Sequence, residues 1–117
     1  MTIGEIAKLT GLSESTLRYY EKKGLLKVER DSNDRRNYQE SDIAWIQFIR
    51  RLKDTGMLLK EIRSYSELRY QGDKTMSERL LILQKHRVFV VEQQKKWQEY
   101  LQNLDEKIDV YQQSIEQ

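Results

Sequence analysis

The feature that most constrains this chain is a regular repeat of apolar residues over its C-terminal third. From Met76 to Ile115 the repeat alternates steps of four and three residues, and ten of the twelve positions it reaches are apolar. Such steps keep one stripe on one side of a continuous helix, which is the pattern of a coiled-coil seam. We therefore predict a long helix over residues 75–117, which at 1.5 Å per residue would span roughly 60 Å.

A helix of this kind would leave its apolar stripe in water unless another element covered it. The economical partner is a second copy of the chain related by a two-fold axis, and the alternative is a helix that folds back on its own domain. Arg87 and Gln94 interrupt the stripe and could set the register of the pair at some cost in stability. The residues predicted to form the dimer seam are Leu80, Leu83, Val90, Trp97, Leu101, Leu104, Ile108 and Tyr111.

The composition agrees with a small folded part joined to a long solvated part. Charged residues make up 34% and hydrophobic residues 38% of the 117 positions, too little apolar surface for one spherical core. No apolar run approaches the roughly 20 residues that a bilayer crossing needs, and Met1 leads into a polar segment rather than a secretory signal. Because the chain has no cysteine, disulfides and thiolate chemistry are excluded, and we expect a cytoplasmic protein without a membrane partner.

The first forty residues carry the signals of two short helices and a hairpin. Thr2 and Glu5 have the spacing of a capping box, Ile6 and Leu9 give the first helix an apolar face, and Gly11 is placed to end it. Ser13 can cap the second helix, so that residues 3–23 are predicted to form a helix-turn-helix. Polar turn residues then separate two short extended arms over residues 27–38, which is typical of a wing.

The second helix and the wing offer side chains that suit DNA. Hydroxyls can bond to bases or phosphates, arginine can read guanine or clamp a phosphate, and tyrosine can reach a phosphate from a packed ring. The same residues could be ordinary solvated surface, because residues 1–40 hold eight basic and seven acidic residues, a net of +1. For Tyr20, core packing and phosphate contact remain equally open. The candidate DNA-binding residues are Ser15, Thr16, Arg18, Tyr19, Tyr20, Lys22, Arg35, Arg36, Asn37 and Tyr38.

Two further helices, over residues 41–55 and 58–70, are predicted to complete the small core. Ser41 can cap the first of them, and Gly56 is placed to end it. The predicted inward positions of the second are Leu58, Leu59, Ile62, Tyr65 and Leu68. Core packing is the first interpretation of the aromatic residues in this region. The alternative is an effector pocket lined by Trp45, Phe48, Tyr65 and Tyr70.

Several of these motifs resemble the MerR family of bacterial transcription regulators. The run Arg18-Tyr19-Tyr20-Glu21 precedes Gly24-Leu25-Leu26 and is followed at the family's distance by Arg35-Arg36-Asn37-Tyr38. The match continues through Asp54-Thr55-Gly56-Met57. The resemblance implies a mainly α fold, with a winged helix-turn-helix domain over residues 1–71 and a coiled-coil dimerisation helix over residues 75–117.

The resemblance also implies a partner and a mechanism. MerR-like homodimers use an antiparallel coiled coil to bring two recognition helices to successive major grooves of double-stranded promoter DNA. They bend and untwist the promoter so that RNA polymerase can engage it, which makes polymerase an indirect partner. No catalytic residue, cofactor or metal site is predicted, since the chain has one histidine and no cysteine. The alternative function is that of a coiled-coil adaptor whose winged domain binds protein.

What would switch such a regulator is not indicated by the residues. The length resembles a short subgroup that responds to aldehydes or electrophiles through a thiol on the third helix, where this chain has Arg51. A trigger by thiol alkylation is therefore excluded, and the effector is unknown. The sequence as given ends within the predicted coil, so we expect no separate effector domain.

Overall fold

The first two helices form the predicted helix-turn-helix in the computed structural model, which describes residues 1–117. They are α1 (Ile3–Thr10) and α2 (Glu14–Lys22). Oγ1 of Thr2 accepts a hydrogen bond from the backbone N–H of Glu5 at 3.2 Å, and Gly11 ends α1 with a left-handed φ of 73°. Ser13 Oγ accepts from the N–H of Thr16 at 3.1 Å. The predicted caps of both helices are therefore confirmed.

A two-stranded antiparallel hairpin follows and forms the wing. Its strands are β1 (Glu29–Arg30) and β2 (Arg36–Asn37), with Arg30 opposite Arg36. The carboxylate of Asp31 holds the turn, because it accepts hydrogen bonds from the backbone N–H groups of Asn33 at 2.8 Å and Arg35 at 3.0 Å. The bond from Arg35 is the main reason that the pKa of Asp31 lies below its ordinary value.

Helix α3 (Glu40–Asp54) begins one residue earlier than predicted, and the prediction that Ser41 caps it is wrong. Gln39 precedes the helix in extended backbone, and its N–H donates to Oδ2 of Asp42 at 2.8 Å. A carboxylate three positions into a helix can reach back to the residue before it, whereas the Ser41 side chain already lies inside the first turn. Helix α4 (Leu59–Tyr70) follows the turn at Gly56, close to its predicted bounds.

The core of this part of the chain is built from α1 to α4 and the residues that connect them. The predicted inward positions of Leu9 and Leu58 are wrong, because these side chains are 54% and 58% exposed. In α1 the inward side passes through Ile6 and Thr10, and in α4 the helix begins only after Leu58. The buried apolar residues are Ile6, Leu17, Tyr20, Leu25, Leu26, Tyr38, Trp45, Ile46, Ile49, Leu52, Met57, Ile62 and Tyr65.

The aromatic residues of α3 and α4 pack on one another. The ring of Tyr65 stacks on Trp45 at 5.7 Å between centroids and lies 5.8 Å from Phe48. The indole Nε1–H of Trp45 donates to the carbonyl of Leu25 at 3.0 Å, and the Ser66 hydroxyl donates to the same oxygen at 2.7 Å. This mutual packing supports the core interpretation over the effector pocket.

A short 3-10 turn (Asp73–Thr75) leads into the last helix, α5 (Met76–Glu116), within one residue of its predicted start and end. The chain divides into two compact units, Met1–Ile82 and Leu83–Gln117. The functional division that the sequence predicts near residues 71–75 stays a prediction. No residue of α5 is buried, and no helix of the protein is both long and apolar enough to cross a bilayer.

Candidate nucleic-acid interface

One side of α2 carries four of the predicted DNA-binding residues on an exposed face. Ser15, Arg18, Tyr19 and Lys22 are all exposed. Arg18, Tyr19 and Lys22 follow Ser15 by three, four and seven residues, so all four side chains lie on one side of the helix. Leu17 is buried on the opposite side, where it anchors the helix in the core.

The two hydroxyl residues at the start of α2 also take part in its cap. Ser15 Oγ lies 3.1 Å and Thr16 Oγ1 lies 2.8 Å from the hydroxyl of Ser13. Thr16 is half-buried, whereas Ser15 is exposed. Of the two, Ser15 is therefore the more accessible to a ligand.

Arg18 places an exposed, weakly paired guanidinium on this face. Its side chain is 52% exposed, and the nearest carboxylate oxygen, on Glu14 of the same helix, is 3.9 Å away. An exposed pair at that separation is weak and screened by salt. The guanidinium can therefore turn to a ligand at little cost.

Lys53, which the sequence did not indicate as a site residue, lies close to Tyr19 on this face. The Lys53 ammonium lies 5.3 Å from the centroid of the Tyr19 ring and 5.4 Å from that of Tyr20. Lys53 comes from the last turn of α3, far from α2 in sequence. No local pattern indicates this proximity, because the folding of α3 against the helix-turn-helix produces it.

Tyr20 lies in the core, which decides between the two roles left open for it. It is 2% exposed, and burial is the first cause of its raised pKa. The charge of Asp54 raises the pKa further, while that of Arg50 opposes the rise. The structure therefore gives Tyr20 a packing role in place of the predicted DNA contact, with its ring centroid 6.5 Å from that of Tyr19.

The three arginines of the wing differ in what surrounds them. Arg35 is exposed, and its positive charge also helps to lower the pKa of Asp31. Arg30 and Arg36 both bond to Glu21 of α2, through Nη2 at 3.0 Å and Nε at 3.3 Å respectively. An open cleft of about 480 Å³ runs between the wing and the start of α1. It is lined by Thr2, Ile3, Arg30, Asp34, Arg35 and Arg36.

The last two predicted residues of the wing are tied into the fold. Oδ1 of Asn37 accepts a hydrogen bond from the Met1 ammonium at 3.0 Å. Tyr38 is 1% exposed, and its hydroxyl is buried without a hydrogen-bond partner. The prediction that Tyr38 contacts DNA is wrong, because its ring fills the core. Burial is also the first cause of its raised pKa.

A capped helix-turn-helix, an exposed polar and basic face on its second helix and a wing with an exposed arginine define the class of winged helix-turn-helix DNA-binding domains. No group of three histidine, aspartate or glutamate side chains lies close enough together to hold a metal ion. The model of the MerR helix-turn-helix family of regulatory proteins matches residues 1–68, and that of the MerR DNA-binding region matches residues 43–107. The chain belongs to the MerR family, as the sequence motifs predicted.

Relatives with known names or structures agree with this assignment. The transcriptional regulator AdhR of Bacillus subtilis is 39% identical over 93 residues, which cover 79% of this chain and 66% of AdhR. A solved structure described as a MerR family transcriptional regulator from Listeria monocytogenes has a TM-score of 0.90 at 32% identity, covering 95% of this chain and 85% of that one.

A second structure is that of HiNmlR, described as a MerR family regulator lacking the sensor domain, bound to promoter DNA. It has a TM-score of 0.85 at 36% identity and covers 96% of this chain and 90% of its own. The predicted fold class, a winged helix-turn-helix followed by a long C-terminal helix, is confirmed by these neighbours. The adaptor alternative is not favoured, because these relatives are named as regulators.

Proposed function

We propose that the protein is a homodimeric transcription regulator that binds specific promoter sequences through α2 and the wing. The observation that carries this proposal is the exposed face of α2, where Ser15, Arg18 and Tyr19 stand on the side opposite the buried Leu17. A short helix anchored on one side and polar on the other can enter a major groove without exposing core residues.

The roles of the charged residues follow from their surroundings. Arg18 would read a base edge or clamp a phosphate, because no close carboxylate holds it. Arg35 would contact the DNA backbone from the wing, beside the arginine-lined cleft. Lys22 and Lys53 would add phosphate contacts at the edges of the face.

The proposed dimer rests on the exposure of the seam of α5. Trp97 is 71% exposed, and Leu101, Leu104, Ile108 and Tyr111 are also exposed along the same stripe. A second α5 packed antiparallel would cover these side chains and join two DNA-binding units. Two linked recognition helices could then reach successive major grooves of one duplex.

For the mode of action we propose distortion of the promoter, as in the family that the chain belongs to. Bending a duplex site of about 20–30 base pairs costs on the order of 1–6 kcal/mol, which phosphate contacts from two subunits can offset. RNA polymerase would then act on the bent promoter without contacting this protein, and the site of action would be the cytoplasm. The binding of HiNmlR to promoter DNA supports this choice of ligand.

The experiment starts with duplexes selected from a random pool by the purified wild-type protein. We expect the logarithm of the affinity for a selected duplex to fall linearly with the logarithm of salt concentration, because phosphate contacts release counterions. Arg18→Ala should weaken binding to the selected duplex by roughly tenfold or more. Lys96→Ala, which removes one positive charge from the exposed side of α5, is the control and should change the affinity little.

Two results would reject the proposal. Selection that enriches no sequence would show that binding is not sequence-specific. Equal losses of affinity for Arg18→Ala and Lys96→Ala would show that α2 does not read the groove.

A further inference from the structure

We infer that Glu21 is a positioning residue that fixes the wing on α2 through Arg30 and Arg36, and so leaves Arg35 as the wing cation that meets DNA. The inference rests on the proposed function, since it concerns how the two parts of the interface are held in register. Glu21 itself lies on the recognition helix, but it faces the wing rather than the exposed side of that helix.

The first argument is the charge pattern of the hairpin. Arg30 and Arg36 are direct cross-strand partners in a sheet of only two strands. Like charges opposite one another destabilise such a pair. The Glu21 carboxylate bonds to both, with Arg30 Nη2 at 3.0 and 3.3 Å and Arg36 Nε at 3.3 and 3.4 Å from its two oxygens. One carboxylate therefore offsets part of the repulsion within the wing and ties the wing to α2.

The second argument is the partial burial of this bridge. The side chain of Glu21 is 18% exposed, that of Arg36 is 31% exposed, and that of Arg30 is 39% exposed. Charge-assisted hydrogen bonds that are partly shielded from water are stronger and better ordered than surface ion pairs. The pair of Arg18 and Glu14 on the same helix, at 3.9 Å and about half exposed on each side, shows the contrast.

The third argument is the packing around the bridge. Tyr38 follows β2 directly and is two residues from Arg36 of the bridge. Tyr38 is fixed in the core, and its backbone N–H also donates to the carbonyl of Met1 at 2.8 Å. The base of the wing thus lies against a rigid support.

Removal of the bridge has two effects of opposite sign on DNA binding. Loss of a negative charge, with the release of two arginines, strengthens sequence-independent attraction to phosphates. Loss of the fixed angle between wing and α2 weakens binding at the cognate site, where both must fit at once. A purely electrostatic role for Glu21 gives only the first effect.

The test compares Glu21→Gln with Glu29→Gln in the full-length chain. Glu29 is an exposed residue of β1, so its substitution removes one negative charge, as Glu21→Gln does, but leaves the bridge intact. For the free proteins we expect Glu21→Gln, but not Glu29→Gln, to lower the {¹H}–¹⁵N NOE values of residues 29–37. A change in these backbone motions needs no DNA and reports only on the positioning claim.

The second measurement is the ratio of affinities for a duplex selected by the wild-type protein and for a scrambled duplex of equal length. Glu21→Gln should lower this ratio about tenfold, the effect of one lost charge-assisted hydrogen-bond group, while Glu29→Gln keeps the wild-type ratio. Glu21→Asp, which restores the carboxylate on a shorter side chain, should recover part of the ratio.

The outcomes separate the two proposals. If the wild-type protein selects no duplex, the proposed function fails, and the NMR comparison still decides whether Glu21 fixes the wing. If the wild-type protein selects a duplex but Glu21→Gln matches Glu29→Gln in both measurements, the positioning role is overturned and the proposed function stands.

Discussion

The hydroxyl of Tyr38 is buried and has no hydrogen-bond partner. A buried hydroxyl loses its bonds to water, and without a partner that loss destabilises the fold. Tyr70 is the opposite case, because its hydroxyl accepts a hydrogen bond from the backbone N–H of Lys27 at 3.0 Å. The two tyrosines therefore respond differently to the same chemical change.

We expect Tyr38→Phe to raise the free energy of unfolding by about 1 kcal/mol, because it removes an unpaired buried polar group and keeps the ring. Tyr70→Phe should lower it by up to about 1 kcal/mol, because it removes an acceptor that is in use. Urea denaturation of the two variants and the wild type measures both changes. A loss of stability in Tyr38→Phe would mean that its hydroxyl contributes a favourable interaction.

Some contacts of the candidate DNA-binding residues could not be predicted from the sequence. Arg18 and Arg36 look alike as basic residues in predicted DNA-binding elements, yet Arg18 has only a long, exposed pair with Glu14, whereas Arg36 is held by Glu21. Their difference depends on Glu21 lying 15 residues before Arg36 and facing it across the wing. Spacing in one sequence does not indicate such a contact, and it gave no sign that Lys53 approaches Tyr19.

Helix ends that depend on residues close in sequence were predicted correctly. Thr2, Gly11 and Ser13 each act through neighbours within four residues, so that the ends of α1 and the start of α2 could be read directly. The start of α3 shows the limit of this approach. Ser41 has the residue type of a good cap, but Asp42 supplies a buried carboxylate that reaches the N–H of Gln39 and sets the helix start earlier.

This start of α3 predicts a clear difference between neighbouring substitutions. Asp42→Ala should lower the free energy of unfolding by about 1–2 kcal/mol, because a buried acceptor is lost at a helix cap. Ser41→Ala, at an exposed position without a capping role, should change it by less than about 0.5 kcal/mol. Thermal or urea unfolding followed by circular dichroism compares the two. A larger effect at Ser41 would place the cap where the sequence first suggested it.

The unit Met1–Ile82 contains every buried apolar residue, whereas the unit Leu83–Gln117 contains none. The second unit is a helix whose apolar stripe faces water in the single chain. The regular spacing of the stripe was evident from the sequence, because it depends only on helical geometry. The orientation of a partner helix depends on contacts between chains and stays a proposal.

From the proposed seam we predict that Leu104→Asp dissociates the proposed dimer. Placing a carboxylate on the seam of each chain should weaken association by about 100-fold or more, since a charge without a partner would be buried twice per dimer. Analytical ultracentrifugation over a range of concentrations measures the change. Gln102→Asp, which adds the same charge to the same helix outside the seam, is the control and should leave the dimer intact.

A dimer of wild-type strength in Leu104→Asp would contradict the seam. Orientation can be tested separately, because the chain has no cysteine of its own. Single cysteines introduced along the seam would all form cross-links with themselves in a parallel pair, but only those near the two-fold axis would do so in an antiparallel pair.

The exposed stripe of α5 also affects how the amount of active regulator would depend on its concentration in the cell. Where two chains must meet before a complete binding unit exists, the amount of that unit at low abundance rises with the square of the chain concentration. A doubling of synthesis then gives about a fourfold increase in competent protein. Modest changes in expression or turnover are thereby converted into sharper changes in promoter occupancy, without any small molecule.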